Sequence, residues 1–282
     1  MPEGPSIVIL REATTKFVGQ NILRATGNSK IEKRRLVGKR VVDIKSWGKH
    51  FLIELDGFAL RVHFMLFGSY RIDERRDTDP RLSLQFKNGE LNFYACSVQF
   101  VDGALDSTYD WSADVMSDQW DAKRAGQKLL ETPKTFACDA LLNQHIFAGV
   151  GNIIKNEVLF RVRVHPLSLI GGLSTRKRSE LIAQARQYSF EFLEWKKAFV
   201  LRKHWLAHTK SHCPRCEIPF SKGKLGRTQR RSFYCERCQK LYSDAPKVNA
   251  RRSEKVSLKV ARSPARTRAN VSHKSRLSPL HP

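Results

Sequence analysis

The stretch Lys49-His50-Phe51-Leu52-Ile53-Glu54-Leu55-Asp56-Gly57-Phe58-Ala59-Leu60-Arg61-Val62-His63 decides the first half of the fold. Its two apolar-alternating runs, Lys49–Leu55 and Phe58–His63, meet at Asp56-Gly57, a pair that favours a two-residue β-hairpin turn. Leu82–Phe86 and Leu91–Tyr94 repeat the pattern around Asn88-Gly89, so residues 37–93 read as antiparallel strands. Upstream, Ile7, Leu10, Ala13, Thr14 and Phe17 share one face of a helix over residues 6–17. The expectation is a β-rich domain with an N-terminal helix laid against it.

From about Trp120 the periodicity becomes helical. Ala137, Leu141, Leu142 and Ile146 fall near helical spacing within Ala137–Phe147, which ends at Gly149-Val150-Gly151-Asn152. A second helix runs on from Ile153 through Phe160, and Leu181, Ala185, Tyr188 and Phe192 form a stripe within Thr175–Leu201. Residues 212–240 hold Cys213-Pro214-Arg215-Cys216 and Cys235-Glu236-Arg237-Cys238, with 18 residues between the pairs. Each Cys-x-x-Cys places two thiolates on a tight knuckle, and a hairpin between them would bring the pairs together. Four soft ligands in a tetrahedron suit structural Zn²⁺ and leave no position open for catalysis; iron–sulfur ligation fits less well. Cys96 and Cys138 sit in apolar settings and read as core residues. Arginines within Gly226–Ser232, at the tip of that hairpin, suit forked hydrogen bonds to phosphate.

Charge narrows the partners. Across 282 residues, 51 Lys+Arg stand against 27 Asp+Glu, a net +24. So one-signed a field points to a polyanion, nucleic acid ahead of an anionic membrane. No stretch approaches the roughly 18 apolar residues of a membrane span. The start Met1-Pro2-Glu3-Gly4-Pro5 carries an acid where a secretory signal carries bases. Paired rather than scattered cysteines imply metal binding in a reducing, cytoplasmic compartment. The segment 241–282 is rich in Ser, Pro, Arg and Lys and contributes +8, leaving +16 on residues 1–240. It reads as a disordered tail that adds salt-sensitive affinity for DNA.

Two short elements bear on chemistry. Glycines in Gly149-Val150-Gly151-Asn152 let the chain turn closely, and free amides at the start of the next helix make an anion site. Asn152 is placed to cap that helix or to offer its amide to a phosphate. A Met1-Pro2 bond is one that cells trim, which leaves Pro2 as a terminal secondary amine. An α-amino group titrates near 8 against about 10.4 for lysine, so far more of it is nucleophilic at neutral pH. Its attack on a sugar C1′ would give an iminium, a Schiff base suited to base release and elimination.

Met1-Pro2-Glu3-Gly4-Pro5, then Trp47-Gly48-Lys49 opening a strand, then Gly149-Val150-Gly151-Asn152, then the four-cysteine unit occur in that order. In this the chain resembles the formamidopyrimidine-DNA glycosylase / endonuclease VIII family, over residues 2–240. The resemblance implies an α+β multidomain fold: an N-terminal two-layered β-sandwich with flanking helices, then a helical helix–two-turn–helix domain with a zinc-finger hairpin. The corresponding segments would be 2–118, 119–211 and 212–240, followed by the basic tail 241–282. It implies a monomer acting on double-stranded DNA with oxidised bases or abasic sites, with one structural zinc on Cys213, Cys216, Cys235 and Cys238. By matching position, Pro2 is the nucleophile, Glu3 the carboxylate that protonates the sugar ring oxygen, and Lys49 a phosphate contact beside the damaged nucleotide. Asn152 and Arg230, or the adjacent Arg231, would grip the flanking phosphates. Ser6 departs from the pattern, since most members carry glutamate there.

The implied activity is base release through a Pro2 imine followed by β,δ-elimination. Two other readings stand beside it: a catalytically silent damaged-DNA binder, and an 8-oxoguanine/formamidopyrimidine-specific enzyme. Met65-Leu66-Phe67, expected on a short loop after a strand ending at His63, is similar in position to the void-filling loop of the endonuclease VIII branch. The stretch Tyr94-Ala95-Cys96-Ser97-Val98-Gln99 corresponds to a loop whose arginine reads the opposite base in the 8-oxoguanine branch, and it has no arginine. Oxidised pyrimidines are therefore the expected substrates, with weak selectivity for the opposite base.

Overall fold

The computed structural model describes residues 2–243. The elements are α1 (Gly4–Ala13), β1 (Arg24–Thr26), β2 (Val41–Trp47), β3 (His50–Leu55), β4 (Phe58–Ile72), β5 (Leu82–Phe86), β6 (Gly89–Asp102) and α2 (Leu105–Thr108). They are followed by α3 (Ala122–Glu131), α4 (Ala137–Leu142), α5 (Asn152–Arg161), α6 (Thr175–Lys197), β7 (Ser221–Leu225) and β8 (Arg230–Tyr234). The first six strands form one antiparallel sheet in the order β1-β5-β6-β4-β3-β2.

The Asp56-Gly57 hairpin forms as expected: Leu55 pairs with Phe58, and Gly57 sits at φ +85°. The second hairpin turns one residue earlier than its Asn-Gly pair suggests. Phe86 pairs with Gly89 across Lys87-Asn88, because the Asp73 carboxylate accepts the Glu90 amide (3.0 Å) and holds that end of β6 in the ladder. The sheet also closes on itself. Beside β1, Leu23 N–H donates to Gln85, while Ile22 donates to Lys39 and Val41 donates to Gln20. The chain around residue 22 thus joins the two ends of the sheet and folds it into two layers. Phe51, Leu60, Val62, Leu84 and Phe93 fill the interior together with Ile7 and Leu10 of α1. Each such side chain contributes about 1.5–3 kcal/mol through removal from water. Ala13, expected on the buried face, is exposed where α1 ends; Thr14 is buried instead, its hydroxyl donating to Leu10 O (2.7 Å).

Two strand boundaries differ from the sequence reading. β4 does not end at His63 but runs to Ile72 with a large bulge: Phe64 pairs with Cys96 and Ser69 with Tyr94, so Met65–Gly68 oppose Ala95 alone. Ala95 sits at φ +47° to accommodate this. Residues 94–99 accordingly lie within β6 rather than on a loop.

The helical half packs α3–α6 around a second core that includes Leu141, Phe147, Ile154, Leu181, Tyr188 and Phe192. The Ala137–Phe147 helix stops at Leu142, and the chain turns at Asn143, whose Oδ1 accepts the His145 amide (3.0 Å). Ile146 and Phe147 are buried all the same. Ser174 caps α6 by accepting the Lys177 amide, and that helix ends at Lys197. Tyr242, which the sequence places in the tail, is tied to the body: its carbonyl accepts the Leu169 amide (2.7 Å) and its amide donates to Ser168 Oγ (3.1 Å). The rest of the basic tail, from residue 244, lies outside the described residues. Among those residues no helix is long and apolar enough to cross a membrane.

Candidate active site

Three short motifs far apart in sequence meet at the N-terminus of α5. The Gly4 amide donates to Gly149 O (2.9 Å). Gly48 lies at φ +53°, and a Cβ there would stand 2.8 Å from the Gly149 nitrogen, so only glycine fits between β2 and β3. The anion site expected at the start of α5 exists, and the protein fills it itself. Glu3, 1% exposed, accepts amides from Ile153 at Oε1 (2.7 Å) and from Gly151 (3.1 Å) and Ile154 (3.2 Å) at Oε2. A Cβ on Gly151 would lie 2.3 Å from the Glu3 carboxyl carbon, hence the second glycine of the turn. Burial raises the Glu3 pKa, while the Lys49 charge and the three amides oppose the rise.

This corrects the reading of Asn152 as a helix cap. The capping position is Gly151, and the cap is a carboxylate supplied from the N-terminal end of the chain. Asn152 is the first helical residue, its Oδ1 buried without a hydrogen-bond partner among the described residues.

Lys49, half-buried beside Glu3, has its pKa lowered chiefly by burial and further by the Arg230 charge, against the pull of Glu3. Arg230 and Arg231 are neighbours in β8, so their side chains leave opposite faces of the hairpin. Arg230 is the one whose charge acts on Lys49 and Lys155. The Arg231 guanidinium lies over the Phe233 ring, 6.0 Å from its centre.

The sequence reading passed over the groups that hold this hairpin. Lys155 is fully buried, and its Nζ donates to Arg231 O (3.1 Å) and Ser232 Oγ (2.8 Å); burial pulls its pKa down to about 8. Asn156 accepts the Phe233 amide, and Asp139 of α4 accepts the amides of Arg227 (2.8 Å) and Thr228 (3.0 Å) at the hairpin tip. Glu157 accepts three amides from Leu206, Ala207 and His208. The available signal was the polar run Lys155-Asn156-Glu157 in the middle of an otherwise apolar helix that is buried all round.

Residues 1–101 match the formamidopyrimidine-DNA glycosylase N-terminal domain, and residues 112–198 match the H2TH domain of the same glycosylases. The chain belongs to the formamidopyrimidine-DNA glycosylase / endonuclease VIII family. It is 34% identical over 205 residues to Endonuclease 8-like 2 of Bos taurus, covering 67% of this chain and 60% of that protein. With Endonuclease 8-like 3 of Mus musculus it shares 29% identity over 206 residues, 70% of this chain but 34% of the relative. The chain thus spans about a third to three-fifths of the length of these relatives. Its fold is that of the Lactococcus lactis formamido-pyrimidine DNA glycosylase bound non-covalently to DNA containing an AP site (TM-score 0.74, 23% identity, 84% and 99% of the two chains). The helix–two-turn–helix of this family member is α4, the turn 143–151 and α5.

The four cysteines of the glycosylase-family hairpin come together with their sulfurs all within 4.8 Å of one another. Cys213 and Cys238 Sγ are 3.8 Å apart, the edge, roughly 3.8 Å, of a tetrahedron with Zn–S bonds of about 2.3 Å. The donor set therefore fits a structural zinc. Elsewhere, Met65, Leu66 and Phe67 project from the β4 bulge and are 57%, 56% and 84% exposed, so they do not serve as core. A cavity of about 1200 Å³ runs between the two halves and is lined by Pro2, Phe64, Tyr70, Ile153, Trp205 and His208 among others.

Proposed function

We propose that this chain is a bifunctional DNA glycosylase and AP lyase that removes oxidised bases, pyrimidines ahead of 8-oxoguanine, through a Schiff base on Pro2. The observation that carries this reading is the seating of Glu3 on the first turn of α5. Glu3 is the neighbour of Pro2, which lines a cavity large enough for an extruded nucleotide, and the charge of Lys49 acts on Glu3.

With Met1 removed, the Pro2 lone pair attacks C1′ of a nucleotide turned out of the duplex. The C1′–N bond breaks, its electron pair leaves with the base, and the Pro2 proton passes to the departing base through solvent. The Pro2 lone pair then expels the ring oxygen, which takes a proton from Glu3, and the product is an iminium on an opened sugar. The upward push that burial gives Glu3 keeps a protonated fraction available for that transfer. Loss of a C2′ proton eliminates the 3′-phosphate, and a further elimination releases the 5′-phosphate.

Lys49, Asn152 and Arg230 hold the phosphates on either side of the extruded nucleotide, and the geometry favours Arg230 over Arg231 for this. Met65, Leu66 and Phe67 fill the gap left in the stack. Cys213, Cys216, Cys235 and Cys238 would hold a zinc ion, which would contribute folding of the hairpin rather than chemistry. A structure of the same fold holds DNA with an oxidised pyrimidine, and nothing in β6 supplies an arginine to read an opposite cytosine.

Borohydride reduction of the protein on DNA containing thymine glycol tests this directly. The free-Pro2 protein should be trapped covalently on the DNA. Protein with Met1 retained or an N-terminal tag should neither be trapped nor release base. Trapping through a blocked terminus would move the nucleophile to a lysine.

A further inference from the structure

We propose that His208 is a leaving-group donor: its Nε2–H hydrogen-bonds the carbonyl oxygen beside the glycosidic nitrogen of the base and stabilises the negative charge that develops there. The inference deepens the glycosylase reading above and rests on it. It begins with a tautomer that the structure fixes. Asn156 Oδ1 accepts the Phe233 amide (3.2 Å), so its amide nitrogen is the atom that faces His208 Nδ1 at 3.1 Å. That nitrogen also donates to Asn152 O (2.9 Å) and lies 3.3 Å from Arg231 O. Because an amide nitrogen only donates, a hydrogen on Nδ1 would point at another donor; Nδ1 accepts and the ring hydrogen sits on Nε2.

The ring is held at Nδ1 and by two aromatic neighbours. Its backbone amide donates to Glu157 (2.7 Å), and its faces and edges meet Trp205 (centroids 4.8 Å) and Phe233 (5.5 Å) in T-shaped contacts. His208 lines the same cavity as Pro2, and Nε2 has no hydrogen-bond partner among the described residues. Burial, aided by the Lys155 charge, lowers its pKa to about 4, so at neutral pH it is an uncharged donor. A neutral imidazole held by its other nitrogen is a proven way to polarise a carbonyl.

The walls suit a whole nucleotide, its base as well as its phosphates. Phe64, Tyr70, Ile153 and Trp205 give the cavity apolar and aromatic surface that can receive a base, and Arg71, Lys196, Arg202 and Lys203 on the same lining can meet the phosphates beside it. When C1′–N breaks, the electron pair spreads from the nitrogen onto the adjacent carbonyl oxygen. His208 donates to that oxygen throughout and keeps its proton; the base is protonated afterwards. The substrate class is thus bases with a carbonyl next to the glycosidic nitrogen, which oxidised pyrimidines have at C2. Removing one preorganised donor of this kind slows chemistry about 100-fold.

The test compares His208→Leu and His208→Gln in single-turnover assays on two DNAs, one with thymine glycol and one with a preformed abasic site. The glutamine amide can accept from Asn156 and donate into the cavity, as the imidazole does. We expect His208→Leu to release base about 100-fold more slowly, to cleave the abasic site at the wild-type rate, and His208→Gln to recover most of the loss. The leucine deficit should shrink along a series of 5-substituted uracils as the glycosidic nitrogen becomes more acidic. Equal losses on both DNAs, or a deficit indifferent to leaving-group acidity, would assign His208 to hairpin positioning and overturn the proposal. A wild-type protein inert on both DNAs would overturn the glycosylase reading and this one together.

Discussion

The sandwich interior and the surroundings of α5 are both fully buried, yet they are built from opposite materials. Inside the sheet, Phe51, Leu60, Val62 and Phe93 meet other apolar side chains, and area removed from water holds the layers together. Around α5, Glu3, Asp139, Lys155, Asn156 and Glu157 are buried and each is satisfied by backbone or hydroxyl groups of a distant segment. Apolar packing tolerates small shifts at modest energy. A carboxylate that accepts three amides does not, because displacing it leaves charge and N–H groups buried and unpaired. The first kind of core supplies stability, and the second sets the register of loops that carry Pro2, Lys49 and Arg230.

The largest expected effect lies at the edge of the polar region. Cys213→Ser, or a chelator applied to the holoprotein, should release zinc and unfold the β7–β8 hairpin, since structural zinc contributes its binding energy to folding. Zinc release measured with a chromogenic chelator should coincide with loss of DNA binding, while the sheet keeps its far-ultraviolet signal. A hairpin that stays ordered without metal would show that Lys155 and Asp139 suffice to hold it.

Within the apolar core, Leu60→Ala should lower unfolding free energy by about 3 kcal/mol without changing DNA affinity per folded molecule. Lys155→Met should lower it less, about 2 kcal/mol, because Arg231 O and Ser232 Oγ lose their donor. Its DNA affinity should nevertheless fall, since the hairpin bearing Arg230 loses its tether. Denaturant titration paired with binding isotherms separates the two. If Lys155→Met were the more stable protein with full affinity, the distinction between the two cores would collapse.

A smaller difference concerns the two arginines. Arg230→Ala should weaken DNA binding about tenfold and reduce the salt slope by about 1. Arg231→Ala should do neither, as its side chain is stacked over Phe233. The reverse order of effects would exchange their roles.

The smallest effect is a pH dependence. His50, packed against His63, Trp47 and Tyr109, has its pKa lowered to about 3 by burial first, then by the charges of His63, Arg61 and Lys49. A depressed histidine contributes stability that is complete above pH 6.5 and is lost as pH falls toward 3. Between pH 7 and 5.5 this amounts to about 1 kcal/mol, and His50→Gln should remove that part of the slope in thermal melts.

Alternation around Asp56-Gly57 and the helical stripe of α6 were legible in the sequence because they rest on local periodicity and nearest-neighbour turn chemistry. The two Cys-x-x-Cys pairs were legible because metal geometry restricts spacing. The β4 bulge was not, since its four residues, set against one, are apolar like a strand and become visible only against the partner β6. Nor was the identity of the cap on α5: Asn152 has the right chemistry in the right place, but Glu3, 148 residues from the capping Gly151, takes the amides. The sequence by itself determined the Asp56-Gly57 hairpin, the stripe of α6, the metal hairpin and the residues available for chemistry, all of which follow from side-chain type and short-range spacing. Only the tertiary structure decided which buried polar group meets which distant amide, and through Asn156 which nitrogen of His208 carries its proton. Those pairings depend on how two independently packed cores come to rest against each other.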